Sequence, residues 1–322
     1  MSVADGTRSL KVGLILQMMT GADGSVPRWT EMAEMGKLAE DVGFDSLWLT
    51  DHLIYHLEGE EKPRGIWEAW SFLSALAAVT ERVELGTVVL AMGWRNPALL
   101  AKMCDAVEEI SGGRLILGLG AGYHKLEFDA FGFPYDYRIS RFEEAIQIVS
   151  GLLRDGAIDF DGKYHFARDC ELNPRGPRPN GPPIMLGTNN GSPRMQGIAA
   201  RYADMWNIFF DITSNKVQGF IDVKPEFDKA CRDQGRDLAT FGATVSVMVA
   251  DSSADPWWDR LPVGDVPPIL PLLSADPERV AEDLAAYEAA GASHVQISLD
   301  PTTPAAIEAL ARALEALDRL SK

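Results

Sequence analysis

The sequence is poor in cysteine and histidine, has no long apolar run and carries no basic excess. Its three cysteines, Cys104, Cys170 and Cys231, are widely spaced and form no Cys-x-x-Cys pair. That excludes zinc ribbons, cysteine-ligated clusters and a disulfide framework, and it points to a reduced, cytoplasmic protein. No stretch approaches the ~20 apolar residues needed to span a bilayer. The opening MSVADGTRSLK has no apolar signal core. Thirty Lys and Arg stand against 47 Asp and Glu, a net charge of −17. Such a surface repels phosphate backbones and anionic lipids, so the expected partner is a small molecule and neither nucleic acid nor membrane. A dinucleotide fingerprint is also missing. The first strand candidate leads into MMTGADG, and Gly118-Leu119-Gly120-Ala121-Gly122 has Tyr123 where the last glycine is needed.

What the chain does have is a monotonous alternation. Eight β-rich runs, KVGLILQ (11–17), SLWLTD (46–51), VELGTVVLA (83–91), LILGLGA (115–121), PIMLGT (183–188), MWNIFF (205–210), ATVSVMVA (243–250) and HVQISLD (294–300), alternate with helical stretches. Six of these stretches show three- and four-residue apolar spacing, at 29–43, 97–111, 140–153, 193–203, 277–291 and 304–320. Pro97, Ser192-Pro193 and Asp276-Pro277 mark helix starts, while Gly43 and Gly291 mark helix ends. Strand–helix repeats imply parallel strands with right-handed crossovers, and eight of them fit a single (β/α)₈ barrel over residues 1–322. Such a barrel takes about 250 residues. The surplus falls in insertions at about 155–183, after the fourth strand's helix, and 251–276, after the seventh strand.

Active sites of such barrels lie at the strand C-terminal ends, which directs attention to DSLWLTDHLIYH (45–56). Alternation puts Trp48, Thr50 and His52 on one face, here assigned to the barrel interior, and Leu47, Leu49 and Asp51 on the other. An imidazole there suits proton transfer, or else serves as a structural partner of loop carbonyls. His52 and His56 have the spacing of helical zinc ligands. Leu53 stands where the metalloprotease pattern needs glutamate, so no metal is expected there. In GTNNGSPRMQG (187–197) a glycine–asparagine loop runs into a helix start, an arrangement that suits phosphate. The glycines of LGLGAGYH remove side chains where a flat ligand or another backbone approaches, or where the barrel turns a tight corner.

Together, KVGLIL, DSLWLTDH, LGTVVLAMGWRNPALLAKMCDAVEEISGGRLILGLGAGYHKLEFDAFGFP, RFEEAIQIV and PIMLGTNNGSPRMQGIAARYADMWN resemble the luciferase-like monooxygenase superfamily. Its members are (β/α)₈ barrels that bind FMN or the 5-deazaflavin coenzyme F420. The resemblance implies that His52 is the proton donor of the deazaflavin branch and that Asp51 lies against the coenzyme. It implies a non-prolyl cis peptide at Val88–Val89 behind the ring, backbone contacts from Ala121 and Gly122, and phosphate contacts from Gly187, Thr188 and the adjoining Asn189. It also implies a homodimer through helices near 29–42 and 67–80. One departure is informative: related sugar-phosphate dehydrogenases carry glutamate and tryptophan where this chain has Tyr123 and His56. Lys125 and Glu127 follow in the same loop without a matched role.

The deazaflavin transfers hydride, whereas reduced FMN supports oxygen chemistry. F420 is the favoured coenzyme and FMN the alternative; a flavin-binding barrel without turnover is a third possibility. Arg168, Arg175 and Arg178 in the first insertion are candidate cations for the longer tail of F420, or simply residues of a solvated loop. Trp67, Trp70, Trp94, Trp257 and Trp258 suit an apolar aromatic substrate, or core and lid packing.

Overall fold

The strand that opens the chain lies beside the strand that closes it. In the computed structural model, which describes residues 8–21, 24–56, 62–188, 192–250, 273–274 and 276–320, Lys11 pairs with His294 and Ile15 with Ser298, in parallel. The elements are β1 (Lys11–Ile15), α1 (Trp29–Asp41), β2 (Ser46–Leu49), α2 (Ala69–Val79), β3 (Glu84–Thr87), β4 (Leu90–Ala91), α3 (Pro97–Ser111), β5 (Leu115–Gly120), α4 (Lys125–Phe131) and α5 (Arg138–Asp155). There follow β6 (Ala157–Asp161), β7 (Phe166–Glu171), β8 (Ile184–Gly187), α6 (Pro193–Tyr202), β9 (Met205–Ile208), α7 (Phe210–Thr213), α8 (Val217–Asp233), β10 (Gly242–Ala250), β11 (Leu273–Ser274), α9 (Pro277–Ala289), β12 (His294–Asp300) and α10 (Pro304–Leu320). The ring β1–β2–β3–β5–β8–β9–β10–β12 closes on β1 through parallel pairs, giving the expected (β/α)₈ barrel.

Local chemistry sets the boundaries. Asn96, Ser192 and Asp276 each accept a hydrogen bond from the third helical amide, with proline at the first position, so α3, α6 and α9 begin where the sequence places them. The third strand differs from its sequence reading. A cis Val88–Val89 peptide breaks the expected run 83–91 into β3 and β4. The sixth run stops at Ile208 and turns into α7. The first insertion forms the antiparallel hairpin β6–β7; residues 251–272 of the second, including Trp257 and Trp258, lie outside the described residues.

The barrel interior is apolar on one side and polar on the other. Ile15, Trp48, Val88, Ile116 and Met185 pack together, and Trp48 fills the lower interior because Gly13 and Gly86 leave it room. A Cβ at either position would lie within 2.5 Å of the indole. Across the barrel, Asn207, Thr244, Ser246 and Gln296 form a buried hydrogen-bonded group. The outward residues Leu47, Leu49, Leu117, Val245 and Ile297 join the large core under the helices.

Arginines hold the opposite end of the barrel, the base. Arg114 donates to the carbonyls of Ala77, Thr80, Val83 and Ser111. Arg154 reaches Pro182 and Asp204, Arg236 the carbonyls of Ala200 in α6 and of its C-cap Ala203, and Arg8 the carbonyl of Gly43 with Asp45 and Asp318. Each engages loops that lead into strands, where the last helical carbonyls need partners.

His294 lies at this end too. Its Nε2 is 2.7 Å from Ser46 Oγ, which itself accepts from Trp48 Nε1 at 2.7 Å. Burial, helped by Lys11, pushes the imidazole pKa down to about 3. The unfolded chain takes up this proton near pH 6.5, the native state not until about pH 3. The stability this provides is therefore present above pH 6.5 and lost as the pH falls through that window. Denaturant titrations at pH 7 and pH 5 should show the wild type losing about 2 kcal/mol more than His294→Gln, at 1.4 kcal/mol per pH unit. Parallel losses in the two proteins would sink this assignment.

Candidate active site

β2 ends at Leu49 and the chain runs on through Thr50, Asp51 and His52 at the strand C-terminal end. The inward position of Trp48 and outward packing of Leu47 and Leu49 bear out the alternation. The His52 side chain is 15% exposed, within reach of the mouth. Its Nδ1 lies 3.2 Å from both carboxylate oxygens of Glu127. That carboxylate is 1% exposed and sits in the first turn of α4. Its Oε1 also accepts from the amides of Leu53 at 2.6 Å and Ile54 at 3.1 Å, and its Oε2 lies 3.3 Å from His124 Nδ1. Burial raises the carboxyl pKa, but the hydrogen bond and charge of His52 with the two amides outweigh it and hold Glu127 below the usual carboxylate range. Tyr55 and Tyr123 stand edge-on to the His52 ring at 5.2 and 6.0 Å.

Asp51 faces the other way. Its carboxylate is fully buried and takes Arg95 bidentately at 2.6 and 3.0 Å, together with the amide of Ala91 at 2.9 Å. It thereby seats the β4 segment. The glycines beside it also serve the chain itself. A Cβ on Gly118 would come within 1.7 Å of the Thr87 carbonyl, one on Gly120 would meet Val89, and one on Gly122, at φ +74°, would meet Phe128. Gly187 flanks Val89 from β8. These notches let the Val88–Val89 peptide sit across the end of the apolar half of the barrel, with Val88 buried and Val89 half-buried.

The residues fit a flavin-like coenzyme on a further observation. Thr188 is 2% exposed, and among the described residues its Oγ1 has no hydrogen-bond partner; Thr50 Oγ1 is buried and equally unpartnered among them. A buried hydroxyl left unpaired costs about 1–3 kcal/mol, which a phosphate or ring oxygen would offset. Thr188 lies at the end of β8, just before the Ser192-capped helix α6; Asn189 lies outside the described residues. At the end of β12, burial pushes the Asp300 carboxyl up to about 6, with Arg64 opposing.

Sequence reasoning missed the partnership of His52 with Glu127 and His124. It compared His52 with His56, whereas the structure groups it with two residues one helical turn apart, beyond another strand. Among the described residues His52, His124 and Glu127 also have metal-ligand types and spacing, their donor atoms lying within 4.8 Å of one another. The insertion arginines are corrected by topology. Loops leading into strands lie at the base, so Arg178 binds Glu108 and the carbonyl of Leu115, where β5 starts, and Arg175 binds the carbonyl of Leu153. Neither can reach a coenzyme tail at the mouth. Trp70 and Trp94 are core residues.

The family model described as Luciferase-like monooxygenase matches residues 10–263. The chain belongs to this family. Luciferase-like relatives include a 5,10-methylenetetrahydromethanopterin reductase of Archaeoglobus fulgidus, 33% identical over 55% of this chain and 48% of its own. An F420-dependent glucose-6-phosphate dehydrogenase of Kineococcus radiotolerans is 27% identical over 82% of this chain and 86% of its own. A pyrimidine monooxygenase, RutA, of a Bradyrhizobium species is 32% identical over 58% and 51%. The match thus spans about half the length of the first and third. A solved F420-dependent secondary alcohol dehydrogenase superposes with TM-score 0.79 at 18% identity, covering 96% of this chain and 99% of its own, and so shares the fold. These luciferase-like proteins are oxidoreductases. Among the described residues no helix is long and apolar enough to cross a membrane.

Proposed function

We propose that this luciferase-like barrel is an F420-dependent oxidoreductase that moves hydride to or from a small organic substrate, with His52 giving or taking the accompanying proton. The observation that carries the proposal is the delivery of His52, backed by a buried carboxylate, to the barrel mouth beside the Val88–Val89 peptide. The relative aligned along most of the chain, an F420-dependent dehydrogenase, supports the choice of coenzyme.

The deazaflavin supplies hydride at a ring carbon and largely avoids oxygen. Val88 and Val89 would back the ring, Ala121 and Gly122 would offer backbone contacts, and Gly187, Thr188 and the adjoining Asn189 would hold phosphate. His52 would then exchange a proton with a carbonyl, alcohol or polarised double bond through Nε2, since Nδ1 is engaged by Glu127. Glucose 6-phosphate is not proposed as substrate, because Tyr123 occupies the place of the dehydrogenases' glutamate. A homodimer remains part of the proposal on family resemblance.

The pyrimidine monooxygenase relative supports a second reading, with FMN and oxygen. Purified protein offered F420 and FMN together should retain F420, read from the absorbance spectrum and mass of the bound coenzyme. Retention of FMN with oxygen-dependent turnover would establish the second reading instead.

A further inference from the structure

Glu127 is remote from His52 in sequence and lies on another strand–helix unit, yet it accepts from two backbone amides of the His52 loop, meets His52 Nδ1 at 3.2 Å and has His124 Nδ1 3.3 Å away. Burying a carboxylate is costly unless it is paired and hydrogen-bonded. The chain secures the position with α4, whose Phe128 is fully buried against Gly93, Gly122 and Trp94. We infer that Glu127 is the positioning residue of His52: it fixes the Nδ1–H form of the ring, leaves Nε2 as the nitrogen that exchanges the proton, and stabilises the imidazolium. This inference rests on the proton-transfer role given to His52 above.

Among the described residues, the titratable groups seen against His52 are Glu127 of α4, His124 at its N-cap, Tyr123 from the end of β5 and Tyr55 from its own loop. Asp51 is turned away onto Arg95, and Asp211 acts on the Tyr123 phenol. Among these groups Glu127 is the anion in direct contact with His52. His124, 24% exposed against 15% for His52, competes for the same carboxylate. One negative charge serves two imidazoles, so removing His124 should strengthen the hold on His52, whereas neutralising Glu127 should release it.

The experiment compares Glu127→Gln, Glu127→Asp and His124→Asn as F420-loaded enzymes and, for the ring nitrogens, as coenzyme-free protein by ¹⁵N NMR. Glutamine can still accept from Leu53 and Ile54, but its amide donates to Nδ1 and imposes the opposite tautomer. Glu127→Gln should therefore lower kcat/KM at least about tenfold, part of the 10²–10⁴ that acid–base help supplies. It should move the limb where activity falls with rising pH to lower pH by about one unit, and it should shift the His52 ring to the Nε2–H form. Glu127→Asp should keep the wild-type limb, and His124→Asn should move it upward. If activity falls in Glu127→Gln with limb and tautomer unchanged, Glu127 is only an anchor for the 53–54 loop and the inference is overturned. It is also overturned if zinc activates the wild type and a chelator abolishes turnover, since the three side chains then form a metal site. Intact turnover in His52→Ala would defeat the underlying reading, while the tautomer measurement would still report on Glu127 alone.

Discussion

His52→Ala should lower turnover by at least about a hundredfold while leaving coenzyme affinity within about tenfold, because positioned acid–base groups supply 10²–10⁴ in rate. The structure gives this expectation a physical basis. The ring sits at the end of β2, 15% exposed, and is held through Nδ1 by a buried carboxylate. The groups proposed to hold phosphate lie elsewhere, at the end of β8, and Thr188 Oγ1 does not depend on His52. Steady-state kinetics and a coenzyme titration separate the two effects. Loss of coenzyme binding, or undiminished turnover, would make His52 a structural residue at a strand end.

Arg95→Ala should destabilise the fold by about 3–5 kcal/mol, the range for removing one partner of a buried ion pair. The Asp51 side chain is fully buried, and without Arg95 it would keep the amide of Ala91 and lose both guanidinium bonds. Arg95 also holds Glu68, whose carboxylate caps α2 through the amides of Trp70 and Ser71. Two strand ends and a helix start therefore depend on one guanidinium. Replacing both members, in Asp51→Asn with Arg95→Met, should cost less than the sum of the separate changes, because no unpaired charge stays buried. A loss below about 1 kcal/mol in chemical denaturation of Arg95→Ala would show that water or a neighbour reaches Asp51 and that the pair is dispensable.

Much of the architecture was legible in the sequence because strands and helices of a barrel repeat with fixed periods and carry local end signals. The proline-started helices α3, α6 and α9 and the closure of β1 on β12 follow from such signals. Four helices escaped the periodicity. α2 is apolar nearly all round, α8 carries Pro225 inside, and α4 and α7 have only seven and four residues. The site was half legible. His52 was found by its place at a strand end, and Val88–Val89 by resemblance. Glu127, His124 and Arg95 were not found, because each meets a residue of the 51–52 pair that is distant in sequence, and one sequence contains no signal for a pairing made only by closing the barrel. Of the insertion arginines, Arg175 and Arg178 hold the base; their sequence position just before the 187–197 loop concealed the length of β8 between them and the mouth.

The arginine-held base also bears on how this chain can change. Arg8, Arg114, Arg154, Arg178 and Arg236 tie down loops that take no part in the proposed chemistry. The loops that line the mouth start from the other ends of the same strands. Apart from the Arg95–Asp51–Glu68 anchor at the mouth, the ties that hold the fold and the loops proposed to meet substrate are separate sets, and substitutions at sites so far apart with no shared partners combine additively. A library that varies the mouth can leave the base untouched and keep its reserve of stability, which gives the barrel room to accept the destabilising steps that new substrate preferences usually require.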